Sequence, residues 1–213
     1  MKLRWRELSE YNLPQKLLQH IDKVTERHHD YKPNEFYVSE LCGCIRQAYL
    51  NRTLKPKIED YDFAQKWRLF RGIIFDQAIT TLFERNQIRV THRIKNPPIV
   101  IVGKADFFED DILWELKSVS ELPEKPQEHH VLQVLFYAYY LLPKSCRILY
   151  VAMDNVKIFE IAYDDKLARQ AVELLEERAK TLYECLRKNE PPEPTKNRRL
   201  CEYCFFYLRD CVG

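Results

Sequence analysis

Residues 103–120, GKADFFEDDILWELKSVS, put an aspartate in one apolar stretch and a glutamate and a lysine in the next. Cleaving a phosphodiester requires a divalent ion to neutralise developing charge and acidify the attacking water, and magnesium or manganese takes oxygen ligands. Along an extended strand alternate side chains share a face, so Glu115 and Lys117 point one way while Trp114 and Leu116 point the other. Asp106 on the preceding strand is expected beside Glu115. The two carboxylates would then hold a metal, with Lys117 as a fixed positive charge near the water or the scissile phosphate. The same alternation also suits the solvated face of an ordinary hairpin. Asp164-x-Lys166 repeats the triplet at a helix start, with no acid-bearing apolar strand before it. Glu115-x-Lys117 differs in its setting, with Gly103 upstream to permit an unusual backbone or a close approach.

In the helix expected next, Gln133 and Tyr137 are spaced i, i+4 and share a face with His130. An amide there can hold a water or a strand's backbone, and a tyrosine hydroxyl can donate to phosphate. Asp76, four residues after Gly72 in a long amphipathic stretch, could bring a third carboxylate. At the other end of the chain, Cys201 and Cys204 form C-x2-C and Cys211 follows. Thiolates at this spacing can wrap one metal centre, and four are needed for zinc or an iron–sulfur cluster. The fourth is either Cys42 or Cys44; Cys146 and Cys185 read as buried small residues. Zinc modules usually take both ligand pairs from one short segment, so the split arrangement favours iron–sulfur. Tyr203, Phe205, Phe206 and Tyr207 would form its apolar shell.

The elements that must position these groups change character along the chain. Residues 13–29, 39–50 (with Ser39 as N-cap) and 61–86 have helical periodicity. From Gln87 the pattern becomes β, over QIRVTHRI, PIVIVGKADFF and DILWELKSV, with Glu109, Asp110 and Asp111 as a polar turn. An apolar helix (125–142), two strands (147–163) and a long helix stopped by EPPEP at 190–194 complete the order. This predicts an α/β fold: a mixed central sheet flanked by helices, with a small cysteine-rich cluster-binding appendage. The expected divisions are 1–86 (helical, with one cluster cysteine), 87–194 (nuclease core) and 195–213 (cluster segment), forming one compact unit.

The chain has 213 residues, enough for one substantial core. Lys and Arg total 34 against 32 Asp and Glu, so attraction for DNA has to come from local clustering, for which Lys196, Arg198 and Arg199 with Arg46 are candidates. The charged opening lacks an apolar leader and the longest apolar run is too short to span a bilayer, so a soluble, cytoplasmic protein with no membrane partner is expected. Seven cysteines then imply reduced thiols rather than a disulfide framework. No phosphate-cradling glycine loop is present, which excludes nucleotide hydrolysis by that route.

Taken in order, Cys44-x-Arg46, Gly72-x3-Asp76, Asp106, Glu115-x-Lys117, Gln133-x3-Tyr137 and the terminal Cys-x2-Cys-x6-Cys resemble the CRISPR-associated RecB-like exonuclease family, within the PD-(D/E)XK nuclease superfamily. The resemblance implies a RecB-type nuclease fold and magnesium- or manganese-dependent exonuclease cleavage of DNA from free single-stranded ends. It also implies a role in spacer acquisition beside CRISPR integrase proteins. By position, Asp106 and Glu115 become metal ligands with Asp76, the Leu116 carbonyl a further ligand, and Lys117 the catalytic lysine. Gln133, Tyr137, Arg46, Arg198 and Arg199 become DNA contacts. Cys44, Cys201, Cys204 and Cys211 become ligands of an iron–sulfur cluster, [4Fe–4S] in preference to [2Fe–2S]. Asp76 departs from the histidine common in the family, and Ala105-Asp106 is a loose form of the superfamily's Pro-Asp. The Asp76 departure supports a second reading, a DNA-binding adaptor with a degenerate site; a third is a zinc-clasped repair nuclease unrelated to CRISPR.

Overall fold

The computed structural model describes residues 13–26 and 31–211. Its helices are α1 (Gln15–Thr25), α2 (Val38–Cys42), α3 (Ile45–Leu54), α4 (Phe63–Thr80), α5 (Glu128–Leu141) and α6 (Asp165–Lys188). The strands are β1 (Glu35–Tyr37), β2 (Asn86–Ile94), β3 (Ile99–Glu109), β4 (Ile112–Ser118), β5 (Ser145–Val151) and β6 (Val156–Ile161). Part of the helix predicted over 13–29 lies outside the described residues.

Local chemistry accounts for most boundaries. Asp62 accepts from the Gln65 amide at 2.7 Å while the Gln65 side chain accepts from the Asp62 amide at 3.1 Å, a reciprocal box that starts α4. The β3–β4 hairpin turns on Asp110 and Asp111, both left-handed at φ 51° and 62°, a backbone that short polar residues tolerate. Asn189, also left-handed, closes α6 ahead of the proline run. Two sequence expectations need correction. The 39–50 stretch is two helices that break at Gly43, and the first begins at Val38 after Tyr37, so Ser39 is not its cap. The helical first part also contains a strand, β1, too short to show alternation. It is held from outside: the buried Arg52 pairs with Glu40 at 2.6 Å, donates to the carbonyls of Lys32 and Glu35, and lies over the Phe36 ring.

The sheet is mixed, in the order β1-β3-β4-β5-β6 with β2 on the other edge of β3. β1–β3 and β4–β5 are parallel; β2–β3, β3–β4 and β5–β6 are antiparallel. Helices pack on this sheet as expected, α5 against β4 and β5 with α6 behind it, and α4 against β4 and β3. Phe36, Ile101, Leu113, Phe136, Ile148 and Leu175 are among the fully buried residues of one continuous core. No helix among the described residues is long and apolar enough to cross a membrane.

Candidate active site

The site lies where the sheet is incomplete. β2 pairs with β3 along nearly its whole length, while the opposite edge takes β4 only at Phe107–Glu109 and β1 only at Val100–Val102. Residues 103–106 therefore face a gap, because β4 turns away to run in parallel with β5 as far as Ser118. Asp106 borders the gap, and its Oδ2 accepts from the Leu116 amide at 2.6 Å. A carboxylate thus takes over at the point where the two backbones part.

Glu115 is 1% exposed. Lys117 Nζ donates to Glu115 Oε1 at 2.6 Å and to Gln133 Oε1 at 3.1 Å, and Gln133 Nε2 donates to the Tyr137 hydroxyl at 3.3 Å. The Tyr137 ring enters the gap beside Gly103. A Cβ on Gly103 would meet the Tyr137 hydroxyl at 2.7 Å and Val38 at 2.8 Å, so glycine is needed there for close approach and not for its φ.

The electrostatics are those of crowded, buried acids. Burial first, then the Glu115 charge, raises Asp106 well above the usual carboxylate range, against Lys117 and the Leu116 amide. Burial likewise raises Glu115, opposed by Lys117. Burial works to lower the Lys117 ammonium, but Glu115 and Asp106 outweigh it and its pKa is raised. Asp76 on α4 is raised by burial, opposed by Lys117 and Lys104, and its charge reaches Asp106 and Glu115 in turn. The helix thus brings a third acid into the same field.

Glu115 Oε2 is buried without a hydrogen-bond partner, a costly state for a carboxylate oxygen. Among the described residues no three His, Cys, Asp or Glu side chains are grouped closely enough to hold a metal ion as they stand. The donor set nevertheless suits a hard divalent cation in kind: carboxylates from β3, β4 and α4, and an oxygen with nothing else to bind.

A model of the PD-(D/E)XK nuclease superfamily matches residues 5–207. The chain belongs to this superfamily. The crystal structure of SSO0001 is similar over 92% of this chain and 96% of its own, with TM-score 0.69 and 19% identity, a likeness of fold alone. A candidate exonuclease from Eubacterium rectale aligns over 98% of this chain and 95% of its own at 11% identity, but its TM-score of 0.43 carries no argument. No protein with a curated description matches the sequence.

The residues expected to contact DNA are placed unequally in this superfamily member. Gln133 and Tyr137 are buried, at 7% and 2% exposure, behind Lys117. Their hydrogen bonds hold the lysine, and both also line a cleft of about 440 Å³ with Arg89 and Lys104. Arg46 Nη1 donates to the Pro192 carbonyl at 2.7 Å, which commits it to tying α3 to the proline joint. Arg198 lies at the thiol pocket, where its charge opposes the rise that burial gives Cys201. Arg199 lines an open cleft of about 540 Å³ beside Ser118, together with Arg68 and Arg71 of α4. Those two arginines were missed in the sequence; Arg68 lies at i, i+4, i+8 with Gly72 and Asp76, a readable signal that does not reach Arg71.

The nuclease brings Cys44, Cys201, Cys204 and Cys211 around one pocket with Leu50, Pro194 and Phe206. Cys42 lies elsewhere, in the core behind Lys117, where burial pushes its thiol up to about 12. Burial raises Cys204, opposed by the nearby backbone amides of Phe206 and Tyr207. The enclosed space is only about 10 Å³, and the thiols are not at metal-holding spacing. In kind, four thiols in an apolar shell with backbone amides nearby suit a thiolate-bound metal or cluster.

Proposed function

We propose that this superfamily member is a metal-dependent deoxyribonuclease that degrades DNA from free single-stranded ends. Its main support is the sheet gap in which Asp106, Glu115 and Lys117 meet, with the unpartnered Glu115 Oε2. Asp106, Glu115 and Asp76 would hold the Mg²⁺ or Mn²⁺ that the superfamily's chemistry uses, with the Leu116 carbonyl as a further ligand. When bound, that ion supplies charge neutralisation and an acidified water. Lys117, held by Glu115 and Gln133, presents a fixed positive charge to the phosphate or its attacking water. Tyr137 braces Gln133, and the buried walls limit bulk water. Phosphodiester hydrolysis adds water across the P–O bond, giving a phosphate end and a hydroxyl end.

Cys44, Cys201, Cys204 and Cys211 would hold an iron–sulfur cluster, [4Fe–4S] or the smaller [2Fe–2S], whose contribution is to fasten the tail to α3. The gathering of these four sulfurs, with Cys42 excluded, supports that reading. The physiological setting carried by the family resemblance is spacer processing in the cytoplasm beside CRISPR integrase proteins, in antiviral defence. The adaptor reading keeps one specific support, Asp76 in place of histidine.

The test is manganese-dependent loss of a labelled single strand. Asp106→Ala is expected to abolish it; equal degradation by the variant would overturn the catalytic assignment. Iron content and a visible absorption band in anaerobically purified protein separate a cluster from zinc.

A further inference from the structure

The cleft beside Ser118 lies outside the carboxylate gap yet opens next to it. Arg71 lines it and donates from Nε to Ser118 Oγ at 3.1 Å, and Ser118 directly follows Lys117. One turn earlier on α4, Arg68 sits over the ring of Tyr203 at 5.1 Å. Tyr203 is 62% exposed, so one aromatic face is available while a guanidinium steadies the ring. The opposite wall comes from the cysteine tail: Arg199 precedes Cys201, and Tyr203 and Phe205 flank Cys204. Phe205 stacks on Tyr61 at 4.5 Å and lies under Arg209, whose Nη1 donates to the Asp60 carbonyl at 3.3 Å, which seats the tail at the start of α4.

Resting on the nuclease reading, we infer that this cleft is the strand-binding subsite: Arg71 and Arg68 take backbone phosphates next to the scissile one, and Tyr203 stacks the base between them. The selection follows from shape and charge. Three arginines face two carboxylates, Glu121 and Glu202, giving an anion-attracting floor interrupted by acids that penalise misplaced phosphates. A cleft of about 540 Å³ with an exposed ring in its wall suits an unpaired strand, whose bases can stack on Tyr203, better than a base-paired helix, whose bases are already stacked. Because Tyr203 and Arg199 sit beside the tail cysteines, the thiol pocket sets the cleft wall, and loosening the tail removes the stacking platform before it disturbs the carboxylates.

Fluorescence anisotropy with a labelled oligo(dT) and no added divalent cation tests this without cleavage. Tyr203→Ala is expected to weaken binding roughly ten-fold, with Tyr203→Trp restoring it. Arg71→Gln is expected to flatten the dependence of log Kd on log salt by about 0.7, the value for one phosphate contact on a single strand. Cys204→Ser is expected to follow Tyr203→Ala in binding while its far-ultraviolet dichroism stays that of the wild type. Unchanged affinity in Tyr203→Ala and Arg71→Gln, or equal competition by duplex, would overturn the subsite. If the wild type binds in this manner but cleaves nothing with manganese, the nuclease reading fails and the subsite stands.

Discussion

The carboxylate gap and the cysteine pocket are both built from polar groups withdrawn from water, by opposite routes. The gap is made mainly from neighbouring strands: Asp106, Glu115 and Lys117 span one hairpin, which puts two acids on adjacent strands, and α4 adds Asp76. The pocket joins Cys44 at the start of α3 to a tail beyond the last helix, and depends on the whole intervening fold. The gap stores electrostatic stress, with raised carboxylates and an orphan oxygen. The pocket carries almost none, since its thiols are neutral when protonated.

The largest expected effect comes from breaking the stressed side. Lys117→Met strips Glu115 of its buried counter-charge and should cost about 3–5 kcal/mol in urea unfolding at neutral pH. A loss near zero would mean that Glu115 is already protonated there. Asp106→Asn acts in the other direction. It keeps an acceptor for the Leu116 amide and removes a buried charge, so stability should rise while activity falls by at least about a hundred-fold. Gly103→Ala forces a methyl into Tyr137 and Val38, and about 1–3 kcal/mol of destabilisation is expected with lowered activity, since Tyr137 braces Gln133.

The pH dependence sharpens the contrast. Asp76, Asp106 and Glu115 all have folded pKa values above their ordinary ones, so the native chain binds the extra protons. Their contribution then becomes less favourable as pH rises from the carboxylate range through the folded values. Without divalent cations the urea midpoint should be higher near about pH 5 than at neutrality, and Asp106→Asn should flatten that slope. Added Mn²⁺ should raise the neutral-pH midpoint in the wild type and much less in the variant. The smallest effect belongs to the slack side: Cys44→Ser should leave the global unfolding free energy within about 0.5 kcal/mol of the wild type and show itself as faster proteolysis of the tail.

Much of the fold was readable because its periods are clean. The three-strand run from β2 to β4, the Asp110–Asp111 turn and the long α6 all follow from alternation, turn chemistry and capping. β1 was not readable: three residues carry no period, and its place depends on Arg52 reaching from α3. At the site, the placing of Asp106 and Glu115 on neighbouring strands could be read from the hairpin, but not that the ladder ends at Phe107 and that Asp106 bonds the Leu116 amide. The burial of Gln133 and Tyr137 could not, because helix spacing tells which residues share a face and not what lies against it. Arg46 shows the same limit, since a basic residue in a promising motif turned out to bind a proline-joint carbonyl.

By itself the sequence determined the chemistry on offer: which acids alternate on which strands, where helices start and stop, and that four thiols could meet. Tertiary structure alone decided that β4 leaves β3 at Phe107, opening the gap beside Gly103, and that Cys42 is packed in the core away from the tail. The physical reason is range. Hydrogen-bond periodicity and capping act over a few residues, whereas burial, and with it the charge state of every acid in the gap, is set by side chains from distant parts of the chain.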